Sequence, residues 1–190
     1  MSEPYSPHSM SPADQLTVAR ALSVPIVVVL YAWDFHGHAY WATAVFCFAM
    51  TTDFFDGKLA RRHGRSSALG SLLDPIADKV LVLGTMVMLV GLHVVPAWMI
   101  AAIVVREVLI TGLRQAAIER GVVIAARDLG KLKTWAQAIA AGVAGFAAAG
   151  AWTDRVAWWF MLVAVVLTCV SGLDYARSAP ALFKRRGVPA

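Results

Sequence analysis

"DFFDGKLARRHGRSSALGSLLDPIADK", Asp53 to Lys79, lies across the junction of two apolar runs, 40–60 and 69–92, in a chain of 190 residues. It carries four aspartates, Asp53, Asp56, Asp74 and Asp78, in a chain that otherwise looks made for lipid. Ionised carboxylates are costly in hydrocarbon and mark a functional site by default. Whether they belong to a soluble bundle or to the rim of a membrane hairpin decides the fold.

Composition favours the membrane. The chain is 59% hydrophobic and 15% charged, above and below the respective norms of globular domains. A soluble bundle would have to hide nearly every helix on all sides, and a chain of this size has too little interior for that. Working outward, the apolar runs are 18–33, 40–60, 69–92, 95–116, 133–151 and 156–175. Each can cross roughly 30 Å of hydrocarbon as a helix rising about 1.5 Å per residue. Helices follow because a lone spanning segment must pair its own backbone groups. The expected fold is all-α: one polytopic domain over 1–190 with six transmembrane helices. "SPADQLTVAR", with Ser11 as cap, Pro12 in the first turn and Asp14 behind it, reads as a short N-terminal juxtamembrane helix.

Charge gives an orientation. Arg61, Arg62 and Arg65 follow the second run, Arg120, Arg127, Lys131 and Lys133 follow the fourth, and Lys184, Arg185 and Arg186 follow the sixth. The gaps after the first and third runs have no lysine or arginine, and the gap after the fifth has only Arg155. The positive-inside rule then puts both termini and the aspartates on the cytoplasmic side. Trp33, Trp41, Trp98, Trp152, Trp158 and Trp159 fall near the opposite surface, as an interfacial belt should. Positive residues that flank a bilayer do not form a groove for nucleic acid, and none is expected as a partner. The first ten residues lack lysine and arginine, so no cleavable signal peptide is expected. Cys47 and Cys169 sit far apart in apolar runs and read as small buried thiols.

Asp53 and Asp56 are three apart, Asp74 and Asp78 four apart, so each pair shares a helix face. If the two helices meet across their short loop, the pairs form one acidic cluster. Such a cluster repels itself unless a divalent cation neutralises it, and hard carboxylate oxygens suit Mg²⁺ or Mn²⁺. Gly57, Ala60 and Gly70 leave room for a flat ligand group or a neighbouring helix, and Arg61 and Lys79 border the carboxylates. Further along, Glu107, Thr111 and Arg114 share a face beside Arg106; Arg106 with Glu107 reads either as a functional site or as a structural ion pair. Arg114 with Lys131, Lys133 and Arg177 could line an anionic-substrate pocket. In the fifth run, Ala141, Gly145 and Ala149 are four apart and permit close helix packing, in the bundle or in a dimer. Metal beside a basic pocket at a lipid surface points to phosphoryl chemistry on a lipid.

In full, the stretch reads Asp53-x-x-Asp56-Gly57-x-x-Ala60-Arg61, eight residues, Gly70, three residues, Asp74, three residues, Asp78. This resembles the signature of the CDP-alcohol phosphatidyltransferase family at every position. "LTVARALSVP", "LLDPIADK", "VVREVLITGLRQAAIERG" and "DLGKLKTWAQAIA" resemble its phosphatidylglycerophosphate synthase branch, so the likeness covers roughly residues 16–175. One departure is the asparagine that commonly precedes the "LT-x-x-R" stretch; Leu16, Thr17 and Arg20 match without it.

The resemblance implies that Asp53, Asp56 and Asp74 ligate Mg²⁺ or Mn²⁺, with Asp78 completing the site and acting as general base. It implies that Gly57, Ala60, Arg61 and Gly70, with the aspartates, accommodate CDP-diacylglycerol. Glycerol 3-phosphate would be the acceptor, its phosphate held by Arg114, Lys133 and Arg177. It further implies a homodimer in the bacterial cytoplasmic membrane, among membrane lipids. Two alternatives stay open. One keeps the chemistry and changes the acceptor to inositol phosphate, serine or phosphatidylglycerol. The other is a divalent-cation transporter, for which no acidic relay continues toward the Trp-rich side.

Overall fold

The computed structural model describes residues 12–63, 68–119 and 128–184, with side chains over 18–52, 76–119 and 129–177. These residues form six α-helices: α1 Pro12–Ala32, α2 His38–His63, α3 Ala68–Gly91, α4 Ala97–Glu119, α5 Asp128–Ala148 and α6 Asp154–Lys184. No β-strand occurs among the described residues. Each expected run lies on its own helix. Most helices continue past the runs at the ends rich in basic residues, notably α2 to His63, α4 to Glu119 and α6 to Lys184. Arginine, lysine and alanine are good helix formers, so the backbone continues after hydropathy has fallen.

The separate N-terminal helix is corrected. The helix that begins at Pro12 is α1 itself, and it runs unbroken to Ala32. Pro12 sits where a missing N–H costs nothing. Even Pro25, which removes one hydrogen bond inside α1, does not end it.

The chain divides into two compact units, Met1–Thr85 and Met86–Ala190. In the first, α1 packs on α2, burying Val27, Tyr31, Ala39, Ala42, Thr43 and Phe46. The Tyr31 hydroxyl meets Thr43 Oγ1 at 2.9 Å, and Thr43 donates back to the Ala39 carbonyl at 2.6 Å. A buried phenol thereby keeps a partner. α3 approaches α1 where a methyl added at Gly84 would lie 4.0 Å from Val24 Cγ1.

In the second unit α6 packs on both α4 and α5. The α5 face is built of small residues, Ala140, Ala141, Ala144, Gly145 and Ala147, all buried. Ala157, Met161, Ala164 and Val165 are buried on α6, followed by Thr168, Ser171 and Tyr175. Ala141 and Gly145 take the packing role expected of them, whereas Ala149 lies beyond the end of α5 and is exposed. The α5 end closes with Gly150 at φ 82°, Gly150 N–H donating to Ala147 and Ala151 N–H to Phe146. That is a Schellman cap, in which glycine accepts the left-handed conformation freely. The α3 end has the same bonds, His93 N–H to Val90 and Val94 N–H to Leu89, but places His93 at φ 59°.

Large apolar side chains are exposed on every helix. Leu22, Ile26 and Val29 form a stripe on α1; Trp159, Val163, Val166, Val170 and Leu173 form one on α6, and Phe48 on α2 is 75% exposed. Each such side chain left in water forgoes roughly 1.5–3 kcal/mol, and stripes of this extent mark contact with lipid or partner. Among the described residues one helix segment, Asp154–Arg177, is by itself long and apolar enough to cross a membrane, and Val18–Ala32 is a shorter apolar one. Trp33, Trp41, Trp98, Trp152 and Trp159 are exposed near helix ends. Cys47 is half-buried and Cys169 exposed, so Cys169 is not the buried thiol expected; it shares the outer side of α6 with Val166, Val170 and Leu173.

Candidate active site

The signature aspartates lie on continuous helix. Asp53, Asp56, Gly57 and Ala60 fall within α2, and Gly70, Asp74 and Asp78 within α3. On α2 the spacing is i, i+3, i+4, i+7, the repeat of one helical face. That face therefore carries two carboxylate positions followed by a glycine and an alanine, where side-chain bulk is least. On α3 the steps of four likewise keep Gly70, Asp74 and Asp78 together. The side chains of Asp53, Asp56, Gly57, Ala60, Arg61, Gly70 and Asp74, and the loop joining α2 to α3, lie outside the described residues. So does the expected facing of the two pairs. Among the described residues no group of three or more candidate metal ligands occurs.

Asp78 is described, and it has a partner that the sequence did not announce. Arg20 Nη1 on α1 lies 2.8 Å from Asp78 Oδ1, with Arg20 5% exposed and Asp78 30% exposed. The Arg20 main-chain carbonyl accepts the Ser23 hydroxyl at 2.7 Å. A guanidinium this close forms an ion pair that restricts the carboxylate to few rotamers. The available signal was a lone arginine inside an apolar helix, which wants an acidic partner. Its partner's position in sequence was not readable from that. Lys79 is exposed.

A second polar site lies in the other unit, among α4, α5 and α6. Glu107 Oε1 accepts from Arg106 Nη1 at 3.0 Å, from Lys133 Nζ, and from Gln137 Nε2 at 3.5 Å. Gln137 Nε2 also donates to Thr168 Oγ1, and Arg106 Nη2 to Ser171 Oγ, both at 2.8 Å. Arg106 and Glu107 thus form the ion pair that was one reading of them. Gln137 and Thr168 were missed, because neutral polar residues in apolar helices carry no charge signal. Of the three residues expected on the acceptor's phosphate, Lys133 is buried against Glu107, while Arg114 and Arg177 are exposed on α4 and α6. The face carrying Glu107, Thr111 and Arg114 passes from buried at Glu107 to exposed at the other two.

These features coincide in a known class. The chain belongs to the CDP-alcohol phosphatidyltransferase family, whose model matches residues 10–170. Within it, the chain is 38% identical over 170 residues to a probable phosphatidylglycerophosphate synthase of Mycobacterium tuberculosis, covering 88% of this chain and 80% of that one. It is 36% identical over 180 residues to the CDP-diacylglycerol–glycerol-3-phosphate 3-phosphatidyltransferase of Bacillus subtilis, with 85% and 91% covered. The enzyme of that name from Shigella flexneri is 37% identical over 171 residues, with 87% and 93% covered. The family and the apolar α6 make this a membrane-associated transferase.

Proposed function

We propose that this protein transfers the phosphatidyl group of CDP-diacylglycerol to sn-glycerol 3-phosphate, giving phosphatidylglycerol phosphate and CMP. The observation that carries the reading is the register of the signature on α2 and α3, where each set of family positions falls on one helical face. The acceptor rests on relatives whose names state it, at 36% identity over 85% of this chain in the Bacillus subtilis case. The medium is a bacterial cytoplasmic membrane crossed six times, with both termini and the aspartates on the cytoplasmic side. Apolar stripes exposed on the helices and the uneven distribution of lysine and arginine support that topology. A homodimer is the proposed assembly.

Asp53, Asp56 and Asp74, with Asp78, form the proposed metal site. Their all-carboxylate donor set fits Mg²⁺ or Mn²⁺. When bound, such ions neutralise charge on the diphosphate and its leaving group. Gly57, Ala60 and Gly70 leave space for the cytidine diphosphate part, and Arg61 offers it a cation. Asp78, held by Arg20, takes the proton from the 1-hydroxyl of glycerol 3-phosphate. That oxygen bonds to the phosphorus bearing diacylglycerol as the bond from phosphorus to the CMP oxygen breaks. Arg114, Lys133 and Arg177 hold the acceptor's phosphate.

Purified protein with Mg²⁺ and CDP-diacylglycerol, offered glycerol 3-phosphate, inositol phosphate, serine or phosphatidylglycerol, tests the acceptor. CMP release is expected with glycerol 3-phosphate. Turnover with another alcohol and none with glycerol 3-phosphate would assign a different acceptor.

A further inference from the structure

Glu107 is the hub of the polar cluster in the Met86–Ala190 unit. Its one oxygen Oε1 serves Arg106 from the same helix, and Lys133 and Gln137 from α5. Glu107 is 6% exposed and Lys133 8%. Both outer members are anchored to α6, Gln137 through Thr168 and Arg106 through Ser171. Neighbours on a helix do not face each other, so Arg106 reaches Glu107 only along a constrained path. That path runs over Gly172, where an added Cβ would lie 3.0 Å from Arg106 Cγ and 3.2 Å from its Nε.

Stability is a poor account of this arrangement. A buried ion cluster often contributes no more than well-packed apolar side chains of the same volume. What it does supply is position. A lysine has large rotamer entropy on a flexible stem, so a free one holds a phosphate loosely. Lys133 is not free: three helices fix the carboxylate that fixes its ammonium.

We propose that Glu107 is a positioning residue for the acceptor's phosphate. It acts through Lys133, and Arg106 and Gln137 act through it. This rests on the role of Lys133 given above. Binding a phosphate monoester then depends on a carboxylate that never touches it, and Gly172 leaves the room in which Arg106 braces that carboxylate.

Kinetics of Glu107→Gln, Lys133→Met and the double variant, in the purified enzyme with Mg²⁺, test this. Each single variant is expected to raise the KM for glycerol 3-phosphate about tenfold, leaving the KM for CDP-diacylglycerol within twofold. The double variant is expected to be no worse than Lys133→Met alone. If Lys133→Met raises the acceptor KM and Glu107→Gln does not, Glu107 has no such role and the function stands. Additive losses, or losses shared by both substrates, would make Glu107 structural and overturn the inference. An unchanged acceptor KM in Lys133→Met would remove Lys133 from the site and the inference with it. Absence of glycerol 3-phosphate turnover in the parent enzyme would instead reject the functional reading. Should Glu107→Gln fail to fold, Glu107→Asp keeps the charge and withdraws it by one methylene. A severalfold rise in acceptor KM is expected there, and an unchanged KM overturns the proposal.

Discussion

Arg20 on α1 and Asp78 on α3, 58 positions apart in sequence, meet through Nη1 and Oδ1 at 2.8 Å, with the guanidinium almost wholly buried. The carboxylate proposed as general base is therefore held from a helix that carries none of the signature. Arg20→Met is expected to lower turnover by about 100-fold, since a base misplaced by about 1 Å can lose that much. It should also cost about 2 kcal/mol of stability, less than the roughly 3–5 kcal/mol of breaking a fully buried pair, because Asp78 is partly exposed. Arg20→Lys should recover part of the stability and less of the rate. Turnover assays and thermal unfolding in detergent check both, and full activity in Arg20→Met would remove Arg20 from the mechanism.

Asp78→Asn keeps the shape of the side chain and takes away its basicity. Transfer is expected to be abolished while CDP-diacylglycerol binding, measured by calorimetry in nanodiscs, largely persists. Near-normal turnover would reject Asp78 as the base.

Chelation with EDTA is expected to stop turnover, and Mg²⁺ or Mn²⁺ to restore it. Asp53→Asn and Asp56→Asn should each cost about 100-fold or more, as loss of a group stabilising transition-state charge does. Activity unaffected by EDTA would contradict the metal site.

Two cap positions separate packing from chemistry. His93 takes the left-handed conformation at the end of α3 where glycine is the usual residue. His93→Gly removes a penalty of about 1 kcal/mol and should raise the unfolding temperature by roughly 2–4 °C. Gly150→Ala, at φ 82°, should lower it by a similar amount. Neither should alter turnover, and a fall in unfolding temperature for His93→Gly would contradict the strain.

The helices were legible because their apolar runs are long, and each of the six runs marks a helix. Their ends were not, since α2 continues through Arg61 and Arg62 to His63, and charge that stops hydropathy does not stop a helix. For the same reason Pro12 read as the start of a separate element when it starts α1. The signature was legible through its resemblance to a family, and its positions lie on α2 and α3. Side-chain partners were not legible: nothing local ties Arg20 to Asp78, or Gln137 to Thr168, and those pairings exist only once helices distant in sequence are packed. Lys133 shows the limit most plainly, for its charge suggested a ligand while its neighbour Glu107 lay 26 residues away.

Transfer of a phosphatidyl group from CDP-diacylglycerol to glycerol 3-phosphate is the proposed activity of this chain. Its most direct test is mass analysis of the lipid formed from CDP-diacylglycerol and ¹³C-labelled glycerol 3-phosphate with Mg²⁺. Labelled phosphatidylglycerol phosphate, equimolar with CMP, is the expected result. CMP release with no label in the lipid fraction would contradict it.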